Sequence, residues 1–297
     1  MRGTDTVGVM LGLELRSMDR VVEAGGACAA RSRWPLGLPL GLRAFTAELG
    51  LAVVGALIYF AVRGAVVDRV GEAMANATDL MAVERTVGLF WEVAMQRWAL
   101  SSPVLTEVMN GIYFWGHMPV IMVVAVGLFW RRRAVYRLTR NAFVVSAVVA
   151  LVLYALLPVA PPRFFGELGF VDTLALSGGA SYQAQEVGPF VNPFAAVPSL
   201  HFGWALLLSV GLWQARPRSR SGGNALRTVA LGMVALLLPV AQFFAVIMTA
   251  NHFVLDLVAG ALVAAVGVGG AIWWQRRAVA RGTLRVGEPT LADGEGL

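Results

Sequence analysis

Apolar residues along this chain come in runs of about 20, the length of helix that crosses a hydrocarbon core. Six runs are long enough to span, at residues 44–67, 105–130, 141–160, 198–215, 226–249 and 252–274. Residues 80–98 break the pattern. There Leu80, Val83, Val87, Phe90 and Ala94 fall at helical spacing against Glu84, Arg85, Glu92 and Arg97, which predicts an amphipathic helix in the membrane interface with the charged residues on its solvated face. The expected fold is therefore all-α: a polytopic membrane protein of six transmembrane helices plus one interfacial helix. It divides into a leader at 1–43, a membrane domain at 44–275 and a tail at 276–297.

Composition sharpens this picture. Of 297 residues, 58% are hydrophobic and 14% charged, against about one-quarter charged in soluble globular domains, and this excludes a soluble enzyme. The length of the apolar runs excludes a disordered chain. Cys28 is the only cysteine, so neither a disulfide framework nor a Cys-based zinc site is expected. Every one of the 24 basic residues is arginine, and in a membrane protein their placement matters more than the net charge of +6. Nucleic acid is not an expected partner, and no obligate protein partner is evident. Arg31, Arg33 and Arg43 precede the first run, Arg131, Arg132, Arg133, Arg137 and Arg140 follow the second, Arg216, Arg218, Arg220 and Arg227 follow the fourth, and Arg276, Arg277, Arg281 and Arg285 follow the sixth. With six spans all of these share one face, which the positive-inside rule makes cytoplasmic. Both termini are expected inside the cell, in a multi-pass cell-membrane protein. Residues 1–40 hold no apolar core long enough for a cleavable signal peptide and read as a loose leader.

The chemistry concentrates between residues 158 and 256. The third run ends in Pro161-Pro162-Arg163; no helix continues through paired prolines, so Arg163 emerges at the outer surface. The 161–197 connection is long, and such loops are usually functional or disordered. It ends in Asn192-Pro193-Phe194-Ala195-Ala196-Val197-Pro198-Ser199-Leu200-His201. A proline at the first helical position is expected to leave the amides of Ser199, Leu200 and His201 unpaired, an anion site suited to phosphate. In the sixth run, His252 and Asp256 stand four apart, on one helix face. A carboxylate bonded to one imidazole nitrogen fixes the tautomer and raises the basicity of the other. An aspartate followed by uncharged residues up to Trp274 needs a partner in a bilayer, and His252 is the nearest.

Other readings compete. His201 could be an interfacial histidine at a helix start, and His252 with Asp256 a polar staple between spans or, with His201, a metal site. His117, in Tyr113-Phe114-Trp115-Gly116-His117-Met118-Pro119, reads first as a hydrogen-bonding residue at a proline kink. Gly260, Gly267, Gly269 and Gly270 are expected to permit close helix packing. A transporter or channel could use the His-Asp pair as a proton relay, yet spans four and five and the rest of span six carry no further acid or histidine, which favours an enzyme.

The segments Pro161-Pro162-Arg163, Pro198-Ser199-Leu200-His201 and Asn251-His252-Phe253-Val254-Leu255-Asp256 resemble the three motifs of the type-2 phosphatidic acid phosphatase superfamily, most closely its branch related to inositol phosphorylceramide synthases. The resemblance implies that His252 attacks phosphorus to form a phosphohistidine, Asp256 orients it, His201 protonates the leaving group and Arg163 holds phosphate oxygens, to which the expected anion site adds the amides of Ser199 and Leu200. It implies a metal-independent lipid phosphatase or phosphotransferase that needs no cofactor, takes a membrane lipid substrate and, for transfer, a polyol acceptor, at the extracytoplasmic face. Two departures stand out. Where the family has a lysine seven residues before the arginine this chain has Leu156, and where it has a serine-arginine pair before the second histidine this chain has Ala245-Val246. With one of three cationic ligands present, a diester-like or lipid-linked phosphoryl donor is expected over a doubly charged monoester. Arg85, Asn192, Asn251 and Gln242 are further candidates to fill the gap, and His117 is a further candidate for the site.

Overall fold

A computed structural model describes residues 40–64, 69–177, 193–217 and 224–281. The leader up to residue 39, the tail beyond 281, and Asn192 lie outside the described residues.

The described chain is helical: α1 Leu40–Gly64, α2 Val70–Val87, α3 Glu92–Leu100, α4 Pro103–Trp115, α5 Met118–Arg131, α6 Arg133–Leu156, a short α7 Thr173–Leu176, α8 Leu200–Ala215, α9 Asn224–Met248 and α10 Val254–Ala280. Local chemistry sets several boundaries. Ser102 caps α4, its hydroxyl accepting from the Leu105 amide at 3.3 Å, with Pro103 in the first turn. Helix α6 stops two residues before Pro158, and two short 3₁₀ turns carry the chain through Pro162–Phe164 and Gly166–Leu168. Helix α9 ends in a Schellman turn: the Asn251 amide donates to the Val246 carbonyl and the Ala250 amide to the Ile247 carbonyl, with Ala250 left-handed at φ 56°.

Helices α6 and α9, and α10 as far as Ala278, are long and apolar enough to cross a membrane. Helices α4 and α5, bent by 49° at Gly116–His117, make a fourth crossing if the pair is one span. The segment Ala44–Leu57 of α1 and the whole of α8 are apolar but shorter; the 16 residues of α8 reach ~24 Å, short of the roughly 30 Å hydrocarbon core. The outward faces of the long helices are largely apolar, with Val123, Val148, Leu226 and Leu262 all more than half exposed. Surface of that kind belongs in lipid rather than water.

The core lies where α6, α8 and α10 meet, around Leu138, Ala150, Tyr154, Leu200, Trp204 and Val263. Three expected packing glycines let backbones touch. A Cβ on Gly260 would strike the Ser199 carbonyl, one on Gly267 would lie 2.6 Å from the Ala142 carbonyl oxygen, and one on Gly270 3.0 Å from Val145. Gly203, not foreseen, closes the same contact from the other side, 2.6 Å from the Gly260 carbonyl oxygen. Gly269 departs from expectation: it faces open space.

The expected amphipathic helix at 80–98 is corrected more deeply. The segment is two helices broken at Gly88, which is left-handed at φ 75°, and its two acids turn inward while Arg85 and Arg97 stay on the exposed face. Val83 and Val87 are exposed, while Glu84 and Glu92 are completely buried. The inward stripe of α2 is Ala73, Ala77, Met81 and Glu84, and that of α3 is Glu92, Gln96 and Ala99. These acids turn inward because the first turn of α10 has amides that need acceptors there.

Candidate active site

The two histidines of the matching motifs meet at the junction of α8 and α10. Ser199 ends the preceding loop as the N-cap of α8, its hydroxyl accepting from the Phe202 amide at 3.4 Å. His201 follows one residue into the helix. His252 sits in the tight connection after α9, its backbone amide donating to the Val246 carbonyl at 3.2 Å. The ring centres of His201 and His252 are 5.9 Å apart, tilted by 55°. The Gly203–Gly260 contact brings them this close, since any larger residue would separate the first turns of α8 and α10.

His252 Nδ1 lies 3.2 Å from Asp256 Oδ2, the i,i+4 contact expected from the spacing. The same carboxylate oxygen accepts the Phe253 amide at 2.8 Å. With Nδ1 occupied, Nε2 is the nitrogen left to react. Both side chains are buried, Asp256 completely. The pairing is therefore little screened by solvent, which a nucleophilic histidine requires.

The start of α8 departs from the expectation of three unpaired amides. Pro198 precedes the cap rather than opening the helix, and its carbonyl accepts from the Tyr154 hydroxyl at 2.8 Å. Of the three amides expected to be unpaired, that of Ser199 donates to the Asp256 carbonyl at 2.9 Å. This bond ties the cap of α8 to α10 and consumes one donor. Leu200 is buried in the helix core.

Arg163 reaches the histidine loop. Its backbone amide donates to the Ala250 carbonyl at 2.9 Å, its guanidinium donates through Nη1 to Asn251 Oδ1, and Nε lies 3.5 Å from Asp172 Oδ2. Asn251 in turn donates to the carbonyl and the hydroxyl of Thr249, at 3.2 and 2.8 Å. Asn251 thus brackets Arg163 to the loop; both its amide hydrogens are used within the protein, which corrects its reading as a neutral phosphate donor. Gln242 is likewise engaged, its amide nitrogen donating to the Ile112 carbonyl at 3.3 Å, beside the break between α4 and α5. Arg85 is exposed and its guanidinium sits 4.7 Å from the centre of the Phe90 ring.

His117 is closer to the chemistry than its first reading placed it. It occupies the break between α4 and α5, its ring stacked at 4.0 Å on His201 and at 5.5 Å on Trp204. Tyr113 stacks on His201 at 4.3 Å. The kink expected near Pro119 is what turns His117 inward. Tyr113 and Trp204 carry no motif signal. Ring contacts with His201 and His117 bring them beside the candidate site.

The loop after α6 is stitched to the bundle by buried amides. Gln96 bonds both ways with Val171, at 2.6 and 3.0 Å. Asn110 donates to the Thr173 carbonyl at 3.0 Å and accepts from the Thr173 hydroxyl at 2.7 Å. Asp172, held at the end of this stretch, faces Arg163. Glu84 and Glu92 complete the surroundings from α2 and α3, accepting from the Leu255 and Val254 amides at 2.7 and 2.8 Å. Burial pushes the Glu84 carboxyl up to about 9, with the neighbouring Glu92 adding to the rise, and burial raises Glu92 as well. Among the described residues no group of three or more His, Cys, Asp or Glu side chains is arranged to hold a metal ion.

No curated protein and no solved structure matches the chain. The family model of the PAP2 superfamily does, over residues 78–270, a span that runs from α2 through most of α10 and takes in Arg163, His201, His252 and Asp256. The chain belongs to the PAP2 superfamily, whose members are typically phosphatases.

Proposed function

We propose that this protein is an integral membrane phosphotransferase or phosphatase acting on a lipid-linked phosphate through a phosphohistidine, as in the branch resembling inositol phosphorylceramide synthases. The observation that carries the reading is the buried Asp256–His252 pair with His201 beside it. In the first step His252 Nε2 forms a bond to phosphorus while the bond from phosphorus to the leaving oxygen breaks, and His201 gives that oxygen its proton. In the second, water or an acceptor hydroxyl attacks the phosphohistidine, His201 takes the proton, and the P–N electrons return to the imidazole. Asp256 holds the ring through Nδ1 in both steps. Arg163, fixed by Asn251 and Asp172, supplies the cation for the phosphate oxygens. The helices are arranged as six spans with both termini cytoplasmic and the site extracytoplasmic. A cysteine placed at Ser181 is then labelled from outside intact cells, and labelling only after permeabilisation reverses that orientation.

The substrate follows from charge. A monoester carries close to two charges near neutral pH and a diester one. Where the family pattern has a serine-arginine pair, Ala245 and Val246 are apolar and fully buried, and Arg163 shares its charge with Asp172. An uncompensated second charge is costly in such surroundings. The protein therefore favours phosphoryl groups already esterified to a lipid and a head group, and transfers them to an acceptor hydroxyl in competition with hydrolysis. Comparison of kcat/KM for phosphatidic acid and phosphatidylinositol, with and without a polyol acceptor, tests this. A clear monoester preference with no transfer product would sink it.

A further inference from the structure

We infer that Glu84 and Glu92 form a carboxyl pair that shares one proton, caps the first turn of α10, and positions the loop and helix start that carry His252. The inference deepens the proposed function and rests on it only for the role of His252 as nucleophile.

The pair is built by the turn at Gly88. A left-handed glycine, with the Leu89 amide returned to the Glu84 carbonyl at 2.8 Å, ends α2 and lets α3 begin at Glu92, so that two acids eight residues apart in sequence face one point. Three consecutive amides at the start of α10 then end on carboxylates. Phe253 donates to Asp256 at 2.8 Å, Val254 to Glu92 at 2.8 Å and Leu255 to Glu84 at 2.7 Å. A helix N-terminus leaves such amides unpaired and carries partial positive charge. That charge stabilises one anion well. Three adjacent anions exceed it.

Both glutamates are fully buried, and their second oxygens, Glu84 Oε2 and Glu92 Oε2, accept nothing from any other protein group. The two carboxyls accept from consecutive amides, Val254 and Leu255, and so stand side by side. A single proton between those two oxygens satisfies both, whereas two ionised carboxylates would leave both oxygens repelling without compensation. The charged groups facing the pair are Asp256 and, through it, His252. Helix α9, packed alongside, has no titratable side chain beyond Arg227 near its far end. Arg85 rests on Phe90, and Arg163 is committed to Asn251 and Asp172. No cation on these elements takes the place of the proton. Burial raises both acids, Glu84 to about 9, in keeping with a pair that titrates as one unit.

The consequence for chemistry is a fixed charge. A pair holding one proton presents one negative charge beside the Asp256–His252 pair. Removing that charge changes the field at the site and with it the pH profile of turnover; removing the caps lets the loop that carries His252 move. A purely structural cap would do only the second.

The test reads the proton directly. Infrared spectra of the full-length protein in detergent at pH 7.5 are expected to show the carbonyl band of a protonated carboxylic acid, which Glu84→Gln and Glu92→Gln each remove, because the remaining carboxylate ionises against the new amide. Absence of the band in the wild type, or its survival in both variants, overturns the inference. Turnover of bis(para-nitrophenyl) phosphate supplies the second readout. Each single Gln variant is expected within about tenfold of wild type, while Glu92→Ala loses more than that in kcat with KM little changed. The double Gln variant moves the acidic limb of kcat/KM to lower pH. Double Gln and wild-type profiles that coincide would reduce the pair to a structural cap. His252→Ala is expected to keep the infrared band and lose turnover; turnover that survives it would refute the nucleophile while leaving the pair to be judged by the band.

Discussion

The two ends of α10 differ in nearly every respect that matters to function. At its start, His252 and Asp256 are buried, and three amides in succession end on the carboxylates of Asp256, Glu92 and Glu84. At its finish, Trp273 and Trp274 are exposed, Arg276 and Arg277 reach outward, and the Arg277 guanidinium lies 4.1 Å from the Trp273 ring. The finish behaves as a membrane helix end should, with aromatic and basic residues at the interface. The start reverses the rule by placing acids inside. Charge buried against the grain of the surroundings, with an amide donated to each carboxylate, singles out this end as the candidate site.

The largest expected effect comes from breaking the buried end at its centre. His252→Ala abolishes turnover. His201→Ala slows poor leaving groups by about 10² to 10⁴ and good ones much less, which a leaving-group series in kcat/KM measures. Equal losses across the series would remove His201 from the acid role. The next effect is geometric. Gly260→Val drives a side chain into the Ser199 carbonyl, and overpacking of that kind costs about 1–3 kcal/mol. It lowers Tm and kcat together, whereas Gly269→Ala, facing open space, changes neither.

These predictions fall unevenly on what the sequence could show. The i,i+4 spacing of His252 and Asp256, the histidine after Pro198-Ser199, and Arg163 behind two prolines are local patterns, and each lands in the site. Glu84 and Glu92 were not legible, because a reading by periodicity assigns polar residues to the wet face, and only the amides of Val254 and Leu255, some 160 residues away, explain why they turn in. The stack of Tyr113 and His117 on His201 depends on the 49° break between α4 and α5. A proline near a histidine hinted at the break but not at its direction. The unpaired amides expected at Ser199 failed for a related reason: the acceptor, the Asp256 carbonyl, comes from another helix. Six apolar runs were legible, but helix length is not: three helices, or four with the bent pair, are long and apolar enough to cross a membrane, and α8 proves shorter than its run.

A smaller effect separates the two ends by pH. Glu84 is raised from 4.5 to about 9 by burial, so the native state holds a proton the unfolded chain releases. Its contribution to stability is complete below about 4.5 and is lost as pH rises towards 9. Thermal unfolding in detergent is therefore expected to move to higher temperature on acidification from pH 9 to pH 5, and Glu84→Gln to flatten that slope. A slope unchanged by the substitution would contradict the burial cost. The smallest effect belongs to the other end, where Arg277→Ala removes an exposed cation–π contact and leaves turnover unchanged.

The central claim is that His252 is the group that takes the phosphoryl. Rapid acid-free quenching during turnover of a radiolabelled lipid phosphodiester, followed by peptide mapping, tests it most directly. The account predicts an acid-labile, base-stable phosphoryl label on His252, absent from His252→Ala and accumulating in His201→Ala when the acceptor is withheld. Label on any other residue, or full turnover in the His252→Ala protein, would contradict it.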